Sequence, residues 1–520
     1  MTVPERGMLS YLRRLATTGF AYTAASVFSK VIAVLLLPIY TALLTTTEYG
    51  KAEILFGAVV AASIFIRFGL IEALLRFYYL PDESPRKVVA TGFAAIFWGS
   101  TVGALLLLPF AEPIASALES DPGLVRVSIG GLWVLTLYEY LVTLFRLDER
   151  AREYFVFTFA NVLAAIPLTL ILVGVFDQGA GGLLLGSYAS GLPFLLWLGL
   201  GERRRLSLVP EWALLRRMAR FGLPTMPAEL SLYALIFVDR IVIVRYLGPA
   251  EVGLYAVAFK FSQAIQVVVR GFQLAWPPLA YSIADDEEAR RVYATVVTAF
   301  VALSAFLVAG LWLEARWIMR LLAASEYFEA YEAIGLLALG AALYGIYLAL
   351  LVVLGRTGRT EFNLPATLAA LAANIGLNIW LVPEHGIVGA GVALVLSYAI
   401  AVALMLWVTQ RLFPVPWQWG RLALILISAA AVIAGGDALL PTAGALGFLS
   451  RTALWLLYPA LLWLGVLNAA ERATVLELLD PAAVRRRLAE LRARGAPEGS
   501  DSGGSETIEA ELRDEDRRGF

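Results

Sequence analysis

The sequence predicts an all-α polytopic membrane protein of fourteen transmembrane helices, built as two six-helix pseudo-symmetric repeats plus two C-terminal helices. Composition gives the class: of 520 residues, 60% are hydrophobic and 16% charged, with a mean hydropathy of +0.75. Soluble domains sit near about 45–50% apolar and roughly 25% charged. Periodicity gives the element type: apolar runs of helix-spanning length recur from about residue 17 to residue 468. They are apolar on every face, as a spanning helix requires, whereas membrane β-strands are about ten residues long and alternate. Internal similarity gives the repeat. GAGGLLLGSYA (179–189) returns as GAGVALVLSYA (389–399) at an offset of 210, and TTEYGKAEI (46–54) as PAEVGLYAV (249–257) at an offset of 203.

The expected spans are about 17–44, 53–79, 88–110, 123–146, 154–175, 182–200, 222–247, 252–280, 290–312, 331–354, 361–382, 387–409, 421–440 and 448–468. Residues 1–16 are short and basic, and the run after them is too long for the core of a cleavable signal peptide, so the first helix is expected to stay as a span. Alternate connections collect Arg6, Arg13, Arg14, Arg86, Lys87, Arg150, Arg152, Arg203, Arg204, Arg205, Arg216, Arg217, Arg220, Arg290, Arg291, Arg356, Arg359, Arg411 and Arg421. The opposite connections hold only Lys51, Arg316, Arg320 and Arg451. This bias puts both termini in the cytoplasm, and the chain is expected in the cytoplasmic (inner) membrane.

The domain plan follows. Residues 1–16 form a cytoplasmic N-terminus, 17–200 a first lobe of six spans, and 201–221 a cytoplasmic linker with an amphipathic piece from Trp212 to Arg220 lying on the inner leaflet. Residues 222–409 form a second lobe and 421–468 the last two spans. Residues 469–520 form a cytoplasmic tail, a basic amphipathic helix at about 471–494 and then a polar Gly/Ser-rich, acidic segment expected to be disordered. The repeat is parallel, because each copy starts from the same side, and bundles of this kind carry a site between their repeats.

Charge inside the spans carries the functional signal, because an Arg or Lys at mid-membrane costs about 2.5–3.5 kcal/mol on insertion scales. In span 2, Arg76 lies near the interface four residues from Glu72, so the two are expected to pair. Arg67 is central and about 180° around the helix from Arg76. Lys30 is central in span 1, below Thr23 and Ser26. Span 8 carries Lys260, Gln263, Gln266, Arg270 and Gln273 within an arc of about 140°. Lys30, Arg67, Lys260 and Arg270 are therefore expected to line a wet central cavity as cations, with Ser26, Gln263, Gln266, Gln273, Asn374 and Asn378 as its polar lining; the two asparagines suit a helix interface as well. Only four of the 41 basic residues are lysines, and two of those are Lys30 and Lys260. Glu72, Glu139, Glu229 and Asp239 are the acids in the spans. Each either neutralises an arginine (Asp239 beside Arg240, Glu139 on the face of Arg146) or binds a coupling ion. Pro38, Pro224, Pro227, Pro277 and Pro278 are expected to bend spans 1, 7 and 8.

Several classes are set aside. There is no cysteine and one histidine, His385, so thiolate or histidine metal sites and a His-based catalytic triad lack their residues. No phosphate-binding G-x-x-x-x-G-K-[ST] stretch occurs. A non-enzymatic transporter of an anion is expected, without ATP, cofactor, metal or nucleic-acid partner, and with proton or sodium coupling left open.

FSKVIAVLLLPIYTALLTTTEYGKAEIL (28–55), GLIEALLRFYY (69–79) and NIWLVPEHGIVGAGVALVLSYA (378–399) resemble the helix 1 to loop, helix 2 and helix 11–12 segments of the polysaccharide-biosynthesis flippases. Ile71–Glu72 stands where that family often has Asp. The resemblance covers nearly the whole chain and implies a MATE-like fold in the multidrug/oligosaccharidyl-lipid/polysaccharide exporter superfamily, in its Wzx-type, O-antigen flippase branch. It also implies a polyprenyl-pyrophosphate-linked oligosaccharide as substrate, moved between leaflets by alternating access, with other polysaccharide-assembly proteins as partners. The competing readings are a lipid II flippase of peptidoglycan synthesis, a MATE-type drug/cation antiporter and, from another class, a membrane glycan ligase or polymerase. The antiporter normally has twelve spans and an acidic site, and span 1 has no acid between Glu5 and Glu48. The ligase would need a large external loop, and the longest one expected, about 313–330, is short.

Overall fold

A computed structural model describes residues 31–465 and residue 472. Lys30, Ser26, most of the first expected span and the tail beyond 472 lie outside the described residues. By backbone contacts the chain through Tyr458 forms one unit and Pro459 onward a second, whose described residues complete the last helix. Among the described residues every regular element is helical.

The helices are α1 (Leu37–Leu43), α2 (Thr46–Arg67), α3 (Leu70–Phe77), α4 (Pro85–Leu107), α5 (Ala111–Ala117), α6 (Pro122–Leu147), α7 (Ala151–Gly174), α8 (Gly179–Ala189) and α9 (Gly191–Glu202). They continue as α10 (Trp212–Gly222), α11 (Met226–Leu247), α12 (Pro249–Ser262), α13 (Ala264–Ser282), α14 (Asp286–Leu322), α15 (Tyr331–Arg356), α16 (Asn363–Leu412), α17 (Trp419–Leu439) and α18 (Gly444–Gly465). Ten helical stretches among the described residues are long and apolar enough to cross a membrane, or eleven if the bent pair α12–α13 counts as one. This is a multi-pass membrane protein.

Length and hydropathy alone thus fall short of fourteen, for physical reasons. The first expected span is mostly outside the described residues. α11 occupies the seventh but carries Glu229, Asp239, Arg240 and Arg245. α16 runs through the eleventh and twelfth and kinks at Gly386, whose φ of 59° and ψ of −143° no β-carbon-bearing residue adopts easily.

Three further expectations are corrected. Span 2 is two helices, because α2 ends in consecutive left-handed residues, Phe68 (φ 46°) and Gly69 (φ 66°), before α3 begins. Span 8 bends by 47° at Gln263, between α12 and α13, while Pro277 and Pro278 sit inside a continuing helix. The expected external connection after span 9 is also shorter, since α14 continues to Leu322.

Two close approaches place the site. α2 starts from a capping box, in which Thr45 Oγ1 accepts from Glu48 N (3.2 Å) and the Glu48 carboxylate accepts from Thr45 N (2.9 Å). One turn on, Gly50 meets α12 backbone to backbone: a β-carbon there would lie 1.7 Å from Pro249 O, and one on Gly253 would lie 2.2 Å from Thr46 O. Gly50 and Gly253, like Thr46 and Pro249, are equivalent under the 203-residue offset, so the contact is self-complementary. Glu326 accepts from Thr46 N (3.1 Å) and Oγ1 (2.9 Å), and Tyr327 OH donates to Leu44 O (2.9 Å), closing the same end. At the other end of α2, a β-carbon on Gly69 would lie 2.0 Å from Gly222 O, so the α2–α3 elbow sits directly on the α10–α11 elbow.

The apolar cores flank this axis. One joins α3, α4, α6, α9 and α10 around Leu74, Val88, Tyr140 and Leu214; another joins α13, α14 and α15 around Ile265, Phe300 and Ala338. α10 is amphipathic, as expected, and is pinned by Arg217 to Glu83 (2.6 Å), while Glu211 before it bonds Lys87 (3.1 Å).

Candidate functional site

The α2–α3 break sets the site geometry. Arg67 is not at mid-helix but is the last residue of α2, where a cation meets the free carbonyls of the helix end. Its Nε donates to Ser63 O (3.2 Å), Nη1 to Glu139 on α6 (3.0 Å) and Nη2 to Glu229 on α11 (3.1 Å). One guanidinium thus forks to two carboxylates and ties three helices, a geometry a lysine cannot reproduce. Glu139 therefore pairs with Arg67 and not with Arg146, and the cluster carries a net negative formal charge. Arg67 as a free cavity cation is corrected accordingly.

Lys260, in the last turn of α12, bonds Tyr49 OH and Glu53 on α2, and its ammonium sits 4.7 Å from the Tyr49 ring centroid. It too is neutralised. The sequence reading missed Glu53 because it started the span there. The Thr45-x-x-Glu48 capping signature was the available signal, since a helix from Thr46 puts Glu53 two turns inside.

The bend at Gln263 divides the expected stripe. Lys260 ends one helix, while Gln266, Arg270 and Gln273 lie on the other, with Gln263, Gln266 and Gln273 half-buried. Arg270 is exposed, donates to Gln273 Oε1 (3.0 Å) and has no carboxylate partner among the described residues. The 203-residue offset carries Arg67 onto Arg270. The same position in the two repeats thus holds one doubly bridged arginine and one unbridged.

Asp239 is fully buried on α11. Its Oδ1 accepts from Asn374 Nδ2 (3.1 Å) and Asn378 Nδ2 (2.8 Å) of α16, and its Oδ2 from Tyr255 OH (2.6 Å). Neighbouring Arg240 is not its ion-pair partner. Successive helical residues point about 100° apart, and Arg240 instead donates to Ile236 O (2.6 Å) and stands over the Phe259 ring (4.8 Å). Asn374 and Asn378 are fully buried in the α11–α16 interface, which corrects their place in a cavity lining. Their Oδ1 atoms are buried without hydrogen-bond partners. Glu72, half-buried on α3, makes no ion pair with Arg76, whose guanidinium lies 4.4 Å from the Phe221 ring centroid.

Residues 15–282 match the family described as polysaccharide biosynthesis protein, just over half of the chain. The chain belongs to this family. It is also similar to the succinoglycan biosynthesis transport protein ExoT of Rhizobium meliloti (strain 1021), 25% identical over 312 residues, 58% of this chain. That match spans 61% of the length of ExoT. Among solved structures, an inward closed lipid II flippase MurJ matches at a TM-score of 0.68 and 13% identity, over 86% of this chain and 98% of that one. An inward-facing MATE-family multidrug transporter of the MOP superfamily matches at 0.59 and 15%, over 74% and 98%. These likenesses show a MATE-like fold for this family member.

Proposed function

We propose that this chain is a Wzx-type flippase, not an enzyme. It moves a polyprenyl-(pyro)phosphate-linked oligosaccharide across the cytoplasmic membrane for surface polysaccharide assembly, in concert with other assembly proteins. The observation that carries this reading is Arg270, an exposed arginine within a span that no described carboxylate neutralises. Family membership and the name of the ExoT relative, a biosynthesis transport protein, support it. With both termini cytoplasmic, spans 1–6 and 7–12 act as two lobes joined by 201–221. The Gly50–Gly253 crossing is then the outer seal and the Arg67 fork the inner one.

In this reading Arg270 receives the phosphate, joined by Lys30, while Arg67 and Lys260 hold helices together through Glu139, Glu229 and Glu53. The substrate cavity is thus less cationic than four free basic residues would make it. Arginine suits the task because its fork matches phosphate oxygens in pairs. The polyprenyl chain stays in lipid. Asp239 with Asn374 and Asn378 is the coupling site. A proton on the carboxyl, or a monovalent cation drawing on the two unpaired amide oxygens, relieves the burial of a lone charge and resets the lobes. No step needs ATP.

The test uses Arg270→Ala and Asp239→Asn in proteoliposomes loaded with polyprenyl-pyrophosphate oligosaccharide. Arg270→Ala is expected to abolish translocation while membrane insertion and melting stay normal. Asp239→Asn is expected to remove the dependence on a sodium or proton gradient. Undiminished transport by Arg270→Ala refutes the reading. Translocation of lipid II with no activity on oligosaccharide carriers moves the protein to peptidoglycan synthesis.

A further inference from the structure

The first turns of α14 and residues 413–418, between α16 and α17, lie side by side. Tyr293 and Phe413 rings are 5.9 Å apart, and Gln418 donates to Thr295 Oγ1 (3.3 Å). Between them opens a cavity of about 490 Å³ lined by Glu287, Arg290, Arg291, Pro414, Val415 and Pro416. Its 413–418 wall is held by hydrogen bonds of its own. Gln410 Nε2 donates to Val415 O (2.9 Å), Val415 N to Gln410 Oε1 (2.7 Å) and Trp417 N to Val415 O (2.9 Å), with prolines on either side of Val415.

Three arginines reach this region and meet different fates. Arg356 is consumed by the fold, donating to Asp286 (2.7 Å), Ile283 O (2.9 Å), Ala280 O (3.2 Å) and Tyr293 OH (3.3 Å). Arg290 holds its guanidinium 4.9 Å from the Phe413 centroid, and its Nε is buried with no hydrogen-bond partner. Arg291, beside it, is exposed at the rim. Neither makes an ion pair among the described residues, although Glu287, a turn away, lines the same cavity. A second buried donor without a partner, Trp417 Nε1, lies on the same loop.

A buried N–H left unpaired is costly, and native structures rarely keep one without an acceptor. Glu287 is present but does not supply it. Two adjacent guanidinium forks at an open surface recess are a donor set that can capture a tetrahedral oxyanion. The cavity is larger than one phosphate, so the ester substituent fits as well.

We propose that this cavity binds a phosphate group through Arg290 and Arg291, with Glu287 weakening the site. The phosphate comes either from an anionic phospholipid headgroup or from a soluble phosphate. The site is distinct from Arg270, and only its assignment to the cytoplasmic face rests on the orientation proposed above.

The experiment uses the full chain carrying Arg270→Ala, so that the central site is silent. One arm titrates inorganic pyrophosphate calorimetrically in detergent. The other compares lipid retained, by native mass spectrometry, from nanodiscs of phosphatidylglycerol and of phosphatidylcholine. Arg291→Ala, at an exposed position that leaves the fold intact, is expected to weaken binding several-fold. Arg290→Ala/Arg291→Ala is expected to remove it, and Glu287→Gln to strengthen it. A response confined to the first arm assigns a soluble phosphate, and one confined to phosphatidylglycerol assigns a lipid headgroup. If the parent binds neither probe, or if Arg291→Ala and Glu287→Gln both bind like the parent, the proposal is overturned.

Discussion

Gly50→Ala tests the crossing of α2 and α12 most directly. The new methyl carbon would stand 1.7 Å from Pro249 O and 2.8 Å from Gly253 N, and neither is a side chain that can rotate away. Contact distances begin near about 3.5 Å, so the two backbones must part by more than an ångström, and only the conformation with this end closed is penalised. Overpacking of this kind costs about 1–3 kcal/mol; a value of about 2 kcal/mol shifts a two-state equilibrium roughly 30-fold. The chain has no cysteine, so Ala256→Cys, on α12 at a position 1% exposed, provides a single thiol reporter. Labelling of that thiol by a membrane-impermeant maleimide is expected to accelerate by about that factor in Gly50→Ala. Gly253→Ala is expected to do the same, because its β-carbon meets Thr46 O at 2.2 Å. Both variants labelling at the parent rate, while melting and inserting normally, would refute the assignment of this crossing as a closed seal.

Two further expectations concern the charge networks. Arg67→Ala leaves Glu139 and Glu229 facing each other at 39% and 35% side-chain exposure. The loss is expected to be about 1–3 kcal/mol, below the about 3–5 kcal/mol of a fully buried pair. Thermal melts should show Arg67→Lys as intermediate and Glu139→Gln/Glu229→Gln as restoring much of the loss; an unshifted melt of Arg67→Ala counts against the fork. Outside the spans, burial alone would raise the Asp148 carboxyl, but hydrogen bonds from Arg205 (2.6 and 3.1 Å) and Tyr78 (2.7 Å) outweigh it and hold the carboxyl below the usual range. Its stabilisation is therefore full above the unfolded value of about 4 and fades as the pH falls through the lower folded value. Asp148→Asn should flatten that acid limb of the melting profile and be the less stable of the two proteins at neutral pH; an acid limb unchanged by the substitution rules out this residue as its source.

The fold class was legible because bilayer spanning imposes it on composition and run length, and α4, α6 and α7 fall where the apolar runs place them. What escaped was backbone geometry inside an apolar run. Phe68–Gly69 breaks span 2 with no proline and with a phenylalanine in a left-handed conformation, while Pro277 and Pro278, the expected bend, pass inside a helix. The site was legible as residue types but not as partnerships. Arg67, Lys260 and Asp239 stand out in the sequence as charges within apolar runs. Their partners Glu139, Glu53 and Asn374/Asn378 come from other helices, and distance along the chain carries no signal for which helices meet. Asn374 and Asn378, four apart, share a face in either a cavity or an interface, so spacing could not choose between them.

The repeat offers a way to read this division. Positions that the 203-residue offset preserves as glycine, Gly50 and Gly253, meet each other backbone to backbone, so the shared feature is a surface on which two equivalent helices can close or part. Positions that it preserves as arginine have diverged in their surroundings: acids from α6 and α11 hold Arg67, and no described acid meets Arg270. The Glu53–Lys260 pair follows the same rule, because its offset mates are Ala256 and Gly57, which carry no charge. A symmetric hinge surface suits motion, which must be reversible about the pseudo-two-fold. An asymmetric charge pattern suits the substrate proposed above, because a lipid-linked glycan would present one phosphate end and two identical cation sites would let it dock either way round. Neutralising one arginine of an equivalent pair would give the proposed substrate site a polarity that the duplicated fold lacks.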